Sequence, residues 1–554
     1  MIVNLYKIDE DLNIINVQEK LIENGYSKQK IEKEKSTSYI LYLKEIDMEP
    51  VFWKRLLKNS FEISSLSNIE DVTRDIRAIL VIKQYNKIYA LSFGKAFHDL
   101  YEIIDYDFGI NFAEKTLTES AVDVKSVDFF QTNKLREIIN FKNKSSSTIN
   151  ATESFSFVSG KPNYKGFGNK ISCGLAVKFN KPKFENSFLK NLAELCIDIN
   201  DALGLKNKVT LPRIEKIRKN TELSKSIFQK LKRSFIDDEL QTIDVKQIVE
   251  MNTTMHFICD YELTIRISKQ QDTNTQSLQS YSLGAIQEYI KNSVKSGYKF
   301  SFEDIYIRAK HHNSIDTLDA PLSSFLYCDL EYKNQIYVLQ YGMWGVYNEK
   351  YLEVLNNTLD EIPLFIDKKR TIINHTDEGK YIEEKVKQMK KDGKDCYAIH
   401  KQFIRPNKTD FIRSIDVELG DIYIADNSKK ELIAVKKGGN VKDTIYSIEQ
   451  SLLSLLVMNY LSDFNISGVS HILDKHDIKE IKKTSIIWIF LSDINDCNIY
   501  KGEKKKIEKI LNEDIVLKRD FNSLYLKNKL VEWYLLCRES SKDPKIIFEV
   551  PIVQ

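Results

Sequence analysis

Apolar positions along this chain change their spacing several times, and each change marks an element. Through residues 1–110, runs such as MIVNLYKI, SYILYLKEI, IRAILVIKQ and KIYALSFG alternate apolar with polar residues, the period of half-buried strands. One or two helical stretches lie between them, so the spacing predicts an α+β region with an antiparallel sheet. The polar stretch FKNKSSSTINATES at 141–154 and the following FVSGKPNYKGFGNKISCG carry turn chemistry around Gly160, Pro162, Gly166 and Gly168. Helical spacing returns over 185–250, as in FLKNLAELCIDINDALG, and strand patterns over 256–267 and 325–347. A polar segment, KKRTIINHTDEGK at 368–380, precedes the last change of pattern. These breaks divide the chain into an N-terminal α+β domain (1–155), a middle mixed α/β region (156–375) and a C-terminal domain (376–554). Usual domain size also suggests roughly three domains.

The C-terminal domain has the clearest order. A helix at about 377–391, with Ile382, Val386 and Met389 on one face, precedes the strands CYAIHKQFIR (396–405) and RSIDVELGDIYIAD (413–426). A tight turn at Asp426-Asn427-Ser428 leads to the strand ELIAVKKG (431–438) and a long amphipathic helix over 442–461. The strand TSIIWIFL (484–491), a helix at about 523–540 and the strand KIIFEVPIV (545–553) complete it. The series α-β-β-β-α-β is that of a restriction-endonuclease-like core, a mixed sheet flanked by helices.

Within that order a few side chains stand out. Strand alternation puts Asp421 on the face of Ile415, Val417, Leu419 and Tyr423, with Asp416 and Glu418 on the other face. A carboxylate on an apolar face has to be paired or hold a metal. Gly420 just before it could introduce a bulge that shifts the register. Lys436 lies on the next strand, where a hairpin turning at 427–428 brings it near Asp421. Phosphodiester cleavage uses such a pair: the carboxylate holds Mg²⁺, and the ammonium orients water or stabilises charge on the phosphate. The position two before the Lys, where a second acid usually stands, is Ala434. Gln450 shares a helical stripe with Tyr446, Leu453 and Val457. In the first helix Glu383 and Glu378 are both candidates for a further carboxylate. Lys437, and in the earlier loop Lys165 and Lys170 beside Tyr164 and Phe167, are candidate phosphate contacts, against the alternative of a solvated surface.

Composition narrows the setting. Apolar residues are 42% and charged residues 29%, with 19 Gly and 9 Pro in 554 residues, so the chain reads as globular with little linker. The N-terminus lacks the basic start and unbroken apolar run of a signal peptide, and SLLSLLVMNYL and TSIIWIFL fall short of the ~20 residues that span a bilayer. Seven scattered Cys without C-x-x-C fit reduced thiols rather than disulfides or structural zinc. A cytoplasmic setting, with no membrane partner, is expected. Net charge is only +3, so any nucleic-acid surface has to be local. No P-loop, dinucleotide fingerprint, zinc-protease helix or Gly-x-Ser-x-Gly occurs.

Short segments in a fixed order also carry a resemblance: YALSFGKAFHDL, DYDFGINFA, SFSFVSGKP, YGMWGVYNEKYLEVL, GKYIEE, VELGDIYI, LIAVKKG and the helix with Gln450. Across nearly its whole length the chain is similar to sporadically distributed bacterial proteins of unknown function found near restriction and phage-defence genes. The resemblance implies a defence-associated role. It maps the family's helix Glu to Glu383, its strand acids to Glu418 and Asp421, and its strand Lys to Lys436. A His often stands in the family where this chain has Ala434. Three functions follow as expectations: a Mg²⁺-dependent nuclease acting on invading DNA, a nucleic-acid or phage-component sensor without chemistry, or a structural subunit of a defence complex. The partner would be nucleic acid, DNA before RNA, with a homo-oligomer or a second defence protein as further assembly.

Overall fold

The structure is a computed structural model. It describes residues 2–34, 36–48, 73–118, 122–129, 135–139, 153–180, 187–219, 221–240, 243–245, 261–267, 275–278, 282–311, 317–340, 342–367, 377–406, 417–426, 429–437, 441–459, 464–481, 483–490, 517–521 and 523–549. The architecture is mixed α/β, with several sheets, and it divides into two compact units, one ending at Lys219 and the other beginning mainly at Asn220. The segment 141–152, most of 368–380, and Asn427 and Ser428 lie outside the described residues.

The first unit is built on a ten-stranded sheet. Strands Ser27–Glu34, Thr37–Met48, Thr73–Gln84 and Lys87–Phe93 form an antiparallel meander that continues through Ile2–Lys7 to Val177–Asn180 and Ile171–Cys173. Alternation along Ile2–Lys7 buries Val3 and Leu5 and exposes Ile2 and Asn4, as a strand half-covered by helix requires. The expected boundary at 155/156 falls inside the strand Glu153–Gly160 of this sheet.

In the second unit the elements that bear on the site include helix α1 (Glu222–Ile236) and, after a further helix (Leu283–Lys295) and two smaller sheets, α2 (Glu349–Glu361) and strand β1 (Leu364–Asp367). Then come α3 (Glu378–Lys391), β2 (Cys396–Ala398), β3 (Ile422–Asp426), β4 (Lys429–Lys437), α4 (Val441–Asn459), β5 (Lys483–Phe490), α5 (Leu524–Glu539) and β6 (Lys545–Glu549). The six strands make one sheet in the order β1-β6-β5-β4-β3-β2. Its β1, β6, β5 and β4 run parallel, while β3 and β2 add on antiparallel. The expected start of the C-terminal domain at 376 leaves out β1, which earns its place by pairing with β6 from Leu364↔Ile546 to Asp367↔Glu549.

Both faces of the sheet are covered. On one, Tyr381, Ile382, Val386 and Met389 of α3 pack on Ile422, Ile424, Ile433 and Val435. On the other, Tyr423 and Leu432 join Val417, Leu419 and Val457 of α4. Asp377 caps α3 by accepting from the Lys380 N–H at 3.0 Å, and Ser523 caps α5. The five described cysteines Cys173, Cys196, Cys328, Cys396 and Cys537 are buried and outside any disulfide. Among the described residues no helix is long and apolar enough to cross a membrane.

Candidate functional site

The second strand expected over 413–426 is interrupted. Residues 411–416 are outside the described set, Val417–Glu418 pair with Phe403–Pro406 in a small separate sheet, and β3 begins only at Ile422. Gly420 marks the break, where an added Cβ would meet the Leu432 side chain at 3.0 Å and the Ile433 carbonyl at 3.2 Å. Asp421 sits at a bulge: its N–H donates to the Ile433 carbonyl at 2.9 Å, one residue out of the ladder that places Ile422 opposite Ile433 and Tyr423 opposite Leu432. Alternation beyond the bulge puts Ala434 and Lys436 on the face of Tyr423.

Asp421 is 3% exposed, and its Oδ2 accepts from the Val435 N–H at 2.6 Å. Burial pushes its carboxyl up to about 8 against that hydrogen bond; Glu418 and Glu378 add to the rise and Lys436 offsets part of it. Lys436 reaches the Glu378 carboxylate at 2.9 Å, and its ammonium lies 4.5 Å from the centroid of the Tyr446 ring. Burial works against the Lys436 charge, but Glu378 outweighs it and holds the group above its ordinary value. The Lys437 N–H faces the other Glu378 oxygen at 3.4 Å.

The helix acid at this site is thus Glu378 and not Glu383. Glu383 is exposed, because the buried stripe of α3 runs through Tyr381, Ile382, Lys385, Val386 and Met389 and Glu383 points away from it. Glu418 is used locally: its carboxylate accepts from the N–H of Lys401, a residue held at a φ of 61° in the turn before Phe403. Gln450 is half-buried, one turn along α4 from Tyr446. The stripe expected around it is not the buried one, since Tyr446 is 53% and Leu453 40% exposed. Helix α4 buries Thr444, Ser447, Ser451 and Ser454 together with Ile445, Ile448, Leu455 and Val457. Lys165 and Lys170 are exposed in the first unit, where Lys165 opens a short turn anchored by buried Phe167.

A second polar group escaped the sequence reading. The parallel strands end together, pairing Lys437 with Phe490, Phe490 with Glu549 and Glu549 with Asp367. At that end Glu549, fully buried, accepts from the Tyr381 hydroxyl and from Lys385 Nζ at 2.9 Å, with Asp367 3.9 Å from the same ammonium. The carboxyl ends of parallel strands are where open α/β sheets place ligands.

For a metal, the donors at Asp421 are two carboxylates, its own and that of Glu378. That fits Mg²⁺, which keeps several waters and takes one or two protein carboxylates, and does not fit a closed protein cage. The one preassembled three-donor group among the described residues is Asp474, His476 and Asp477. Its acids are occupied, Asp474 capping the short helix Lys475–Glu480 and Asp477 paired with Lys430.

A family model matches residues 3–485. The chain belongs to DUF6119, a family of unknown function. The matched span contains Glu378, Asp421, Lys436 and Gln450 and stops within β5, so Glu549 lies beyond it. No curated protein and no solved structure matches the chain.

Proposed function

We propose that this DUF6119 protein is a cytoplasmic defence protein that engages nucleic-acid phosphates at the Asp421–Lys436 site and cleaves invading DNA as a Mg²⁺-dependent nuclease. The observation that carries the reading is one juxtaposition. A buried carboxylate, Asp421, accepts from the Val435 N–H beside Lys436, and α3 adds a second carboxylate, Glu378, in contact with the Lys. The order of elements from α3 to β6 supports the likeness to a restriction-endonuclease core, a likeness of fold alone. Glu378 takes the part of the acid that Ala434 lacks.

Asp421 and Glu378 would hold Mg²⁺, which when bound supplies charge for the scissile phosphate and lowers the pKa of a coordinated water. Lys436, released from Glu378, would face the phosphate oxygens, and Lys437 would hold the adjoining backbone. A second reading, a sensor that binds without cutting, is favoured by one feature: a carboxyl titrating at about 8 is mostly protonated at neutral pH and is then a poor metal ligand.

Incubating the purified protein with plasmid and phage DNA, with and without Mg²⁺ or Mn²⁺, separates them. The nuclease reading expects metal-dependent cleavage that falls by orders of magnitude in Asp421→Ala. Its stability should fall only by the loss of the Val435 hydrogen bond, about 1–3 kcal/mol, because Lys436 keeps Glu378 and no cation is stranded. Salt-dependent binding without cleavage selects the sensor, and absence of binding defeats both.

A further inference from the structure

A four-stranded antiparallel sheet of the second unit, in the order Gln276–Ser277, Tyr261–Ile267, Ile305–His311, Thr317–Pro321, has two unlike faces. On one, Leu263, Ile265, Ile267, Ile305, Ile307 and Ala309 are buried. Alternation sends Glu262, Arg266, Tyr306, Arg308, Lys310 and Asp319 to the other, where each is exposed or half-buried.

Charge on this open face is arranged around one carboxylate. Arg266 Nη2 donates to Asp319 Oδ2 at 2.8 Å, and Arg308 brings Nη2 at 2.7 Å and Nε at 3.2 Å to the same oxygen. Burial works against the charge on Asp319, but the two guanidiniums outweigh it and hold the carboxyl below its ordinary value. Three donors thus crowd a single oxygen, whereas a phosphate would spread them over separate ones. The Tyr306 ring lies 5.5 Å from the Arg266 guanidinium, whose Nε has no hydrogen-bond partner among the described residues. Lys310 stands two residues beyond Arg308, roughly 7 Å along the same strand. Among the described residues it has no ion pair, and Glu262, opposite it in the ladder, is the second acid of the face. Three cations therefore meet two acids, and one of those acids serves two of the cations.

We propose that this sheet face binds the phosphate backbone of a nucleic-acid strand, with Arg266, Arg308 and Lys310 as the contacts and Asp319 as the internal group that a phosphate displaces. Arginine forks suit phosphate oxygens, and the Arg308 side chain, 49% exposed, is open to them. The face shares no residue with the Asp421–Lys436 site. It rests on the proposed function only in the premise that the protein binds nucleic acid.

Fluorescence anisotropy of a labelled single-stranded oligothymidylate, titrated with the full chain over a series of salt concentrations, tests this. Binding should weaken roughly tenfold or more when Arg308 and Lys310 are both changed to Ala, and the slope of log affinity against log salt should shrink by about 1.4, the share of two phosphate contacts on a single strand. Asp319→Asn should tighten binding, because the guanidiniums lose their competing anion. Lys310→Ala alone, a change at an exposed position, gives half of that slope change and guards against a double variant that fails to fold. Binding that is unaltered in both the double and the Lys310 variants, or that is not tightened by Asp319→Asn, overturns the proposal and leaves the nucleic-acid reading standing. Poly-glutamate that displaces the oligothymidylate at equal charge overturns it in favour of an acidic protein partner. No binding by the unaltered chain removes this proposal and the nucleic-acid reading together.

Discussion

Asp421 is buried beside a backbone donor and, among the described residues, without an ion-pair partner of its own, and that fixes how pH should act on it. Its folded value of about 8 lies above the ordinary 3.8, so the fold binds this proton more tightly than the unfolded chain does. The stabilisation is complete below about 4 and is lost as pH rises through about 8. Asp421→Asn keeps an acceptor for Val435 and removes the titration. Melting temperature measured from pH 5 to 9 should therefore fall more in the wild type than in this variant; parallel curves would show that the carboxyl does not carry a raised pKa. At Lys385 the stakes differ, since Lys385→Ala leaves Glu549 buried without its 2.9 Å cation and should cost about 3–5 kcal/mol. Urea unfolding measures that loss, and a loss under 1 kcal/mol would mean that Glu549 does not depend on this cation. Asp421 was readable because Val417, Leu419 and Tyr423 share its parity. The helical period left Glu378 and Glu383 both open, and the family resemblance pointed to Glu383. Glu549 gave no signal, because a lone acid at a strand end is buried only by the helix that covers it.

At the scale of the element, α4 shows how a polar stripe can be the buried one. Thr444, Ser447, Ser451 and Ser454 recur at helical spacing, and the hydroxyls of Ser451 and Ser454 find partners nearby. Ser454 Oγ donates to the Leu419 carbonyl at 2.5 Å and lies 2.8 Å from the Gln450 carbonyl, while the Trp533 indole N–H of α5 donates to Ser451 Oγ at 3.0 Å. A hydrophobicity pattern misses such a face because it scores the side chain and not the close approach that a small side chain allows. Ser454→Leu should overpack this contact and destabilise by about 1–3 kcal/mol, more than Ser454→Ala, which only removes the bond to Leu419. Thermal melts that rank Ala below Leu would show that α4 stands farther from its neighbours than described. The strand runs were more legible than the α4 face, since β4 and β5 match the stretches that apolar spacing marks to within two residues at each end and β6 begins where its stretch begins.

Across the whole molecule, the second unit draws its sheet from both sides of residue 375. Strand β1 pairs with β6, the Tyr351 hydroxyl of α2 donates to Asn528 of α5 at 2.6 Å, and Asp329 accepts from Ser523 at the start of α5. Residues 376–554 expressed alone should consequently lack a cooperative transition, whereas 220–554 should unfold in one; a sharp transition in the shorter fragment would refute this. Such pairings were not legible, because a four-residue strand that joins a partner far along the chain leaves no local periodicity. The position of β6 has a further consequence, in the order of synthesis. It is the last of the six strands to be made, yet it lies between β1 and β5. Until it emerges, the nascent chain carries two unpaired strand edges and a half-covered apolar surface, the features that recruit chaperones or neighbouring chains. Mutations that slow the docking of 545–549 should lower the soluble yield in cells before they change any property of the finished protein.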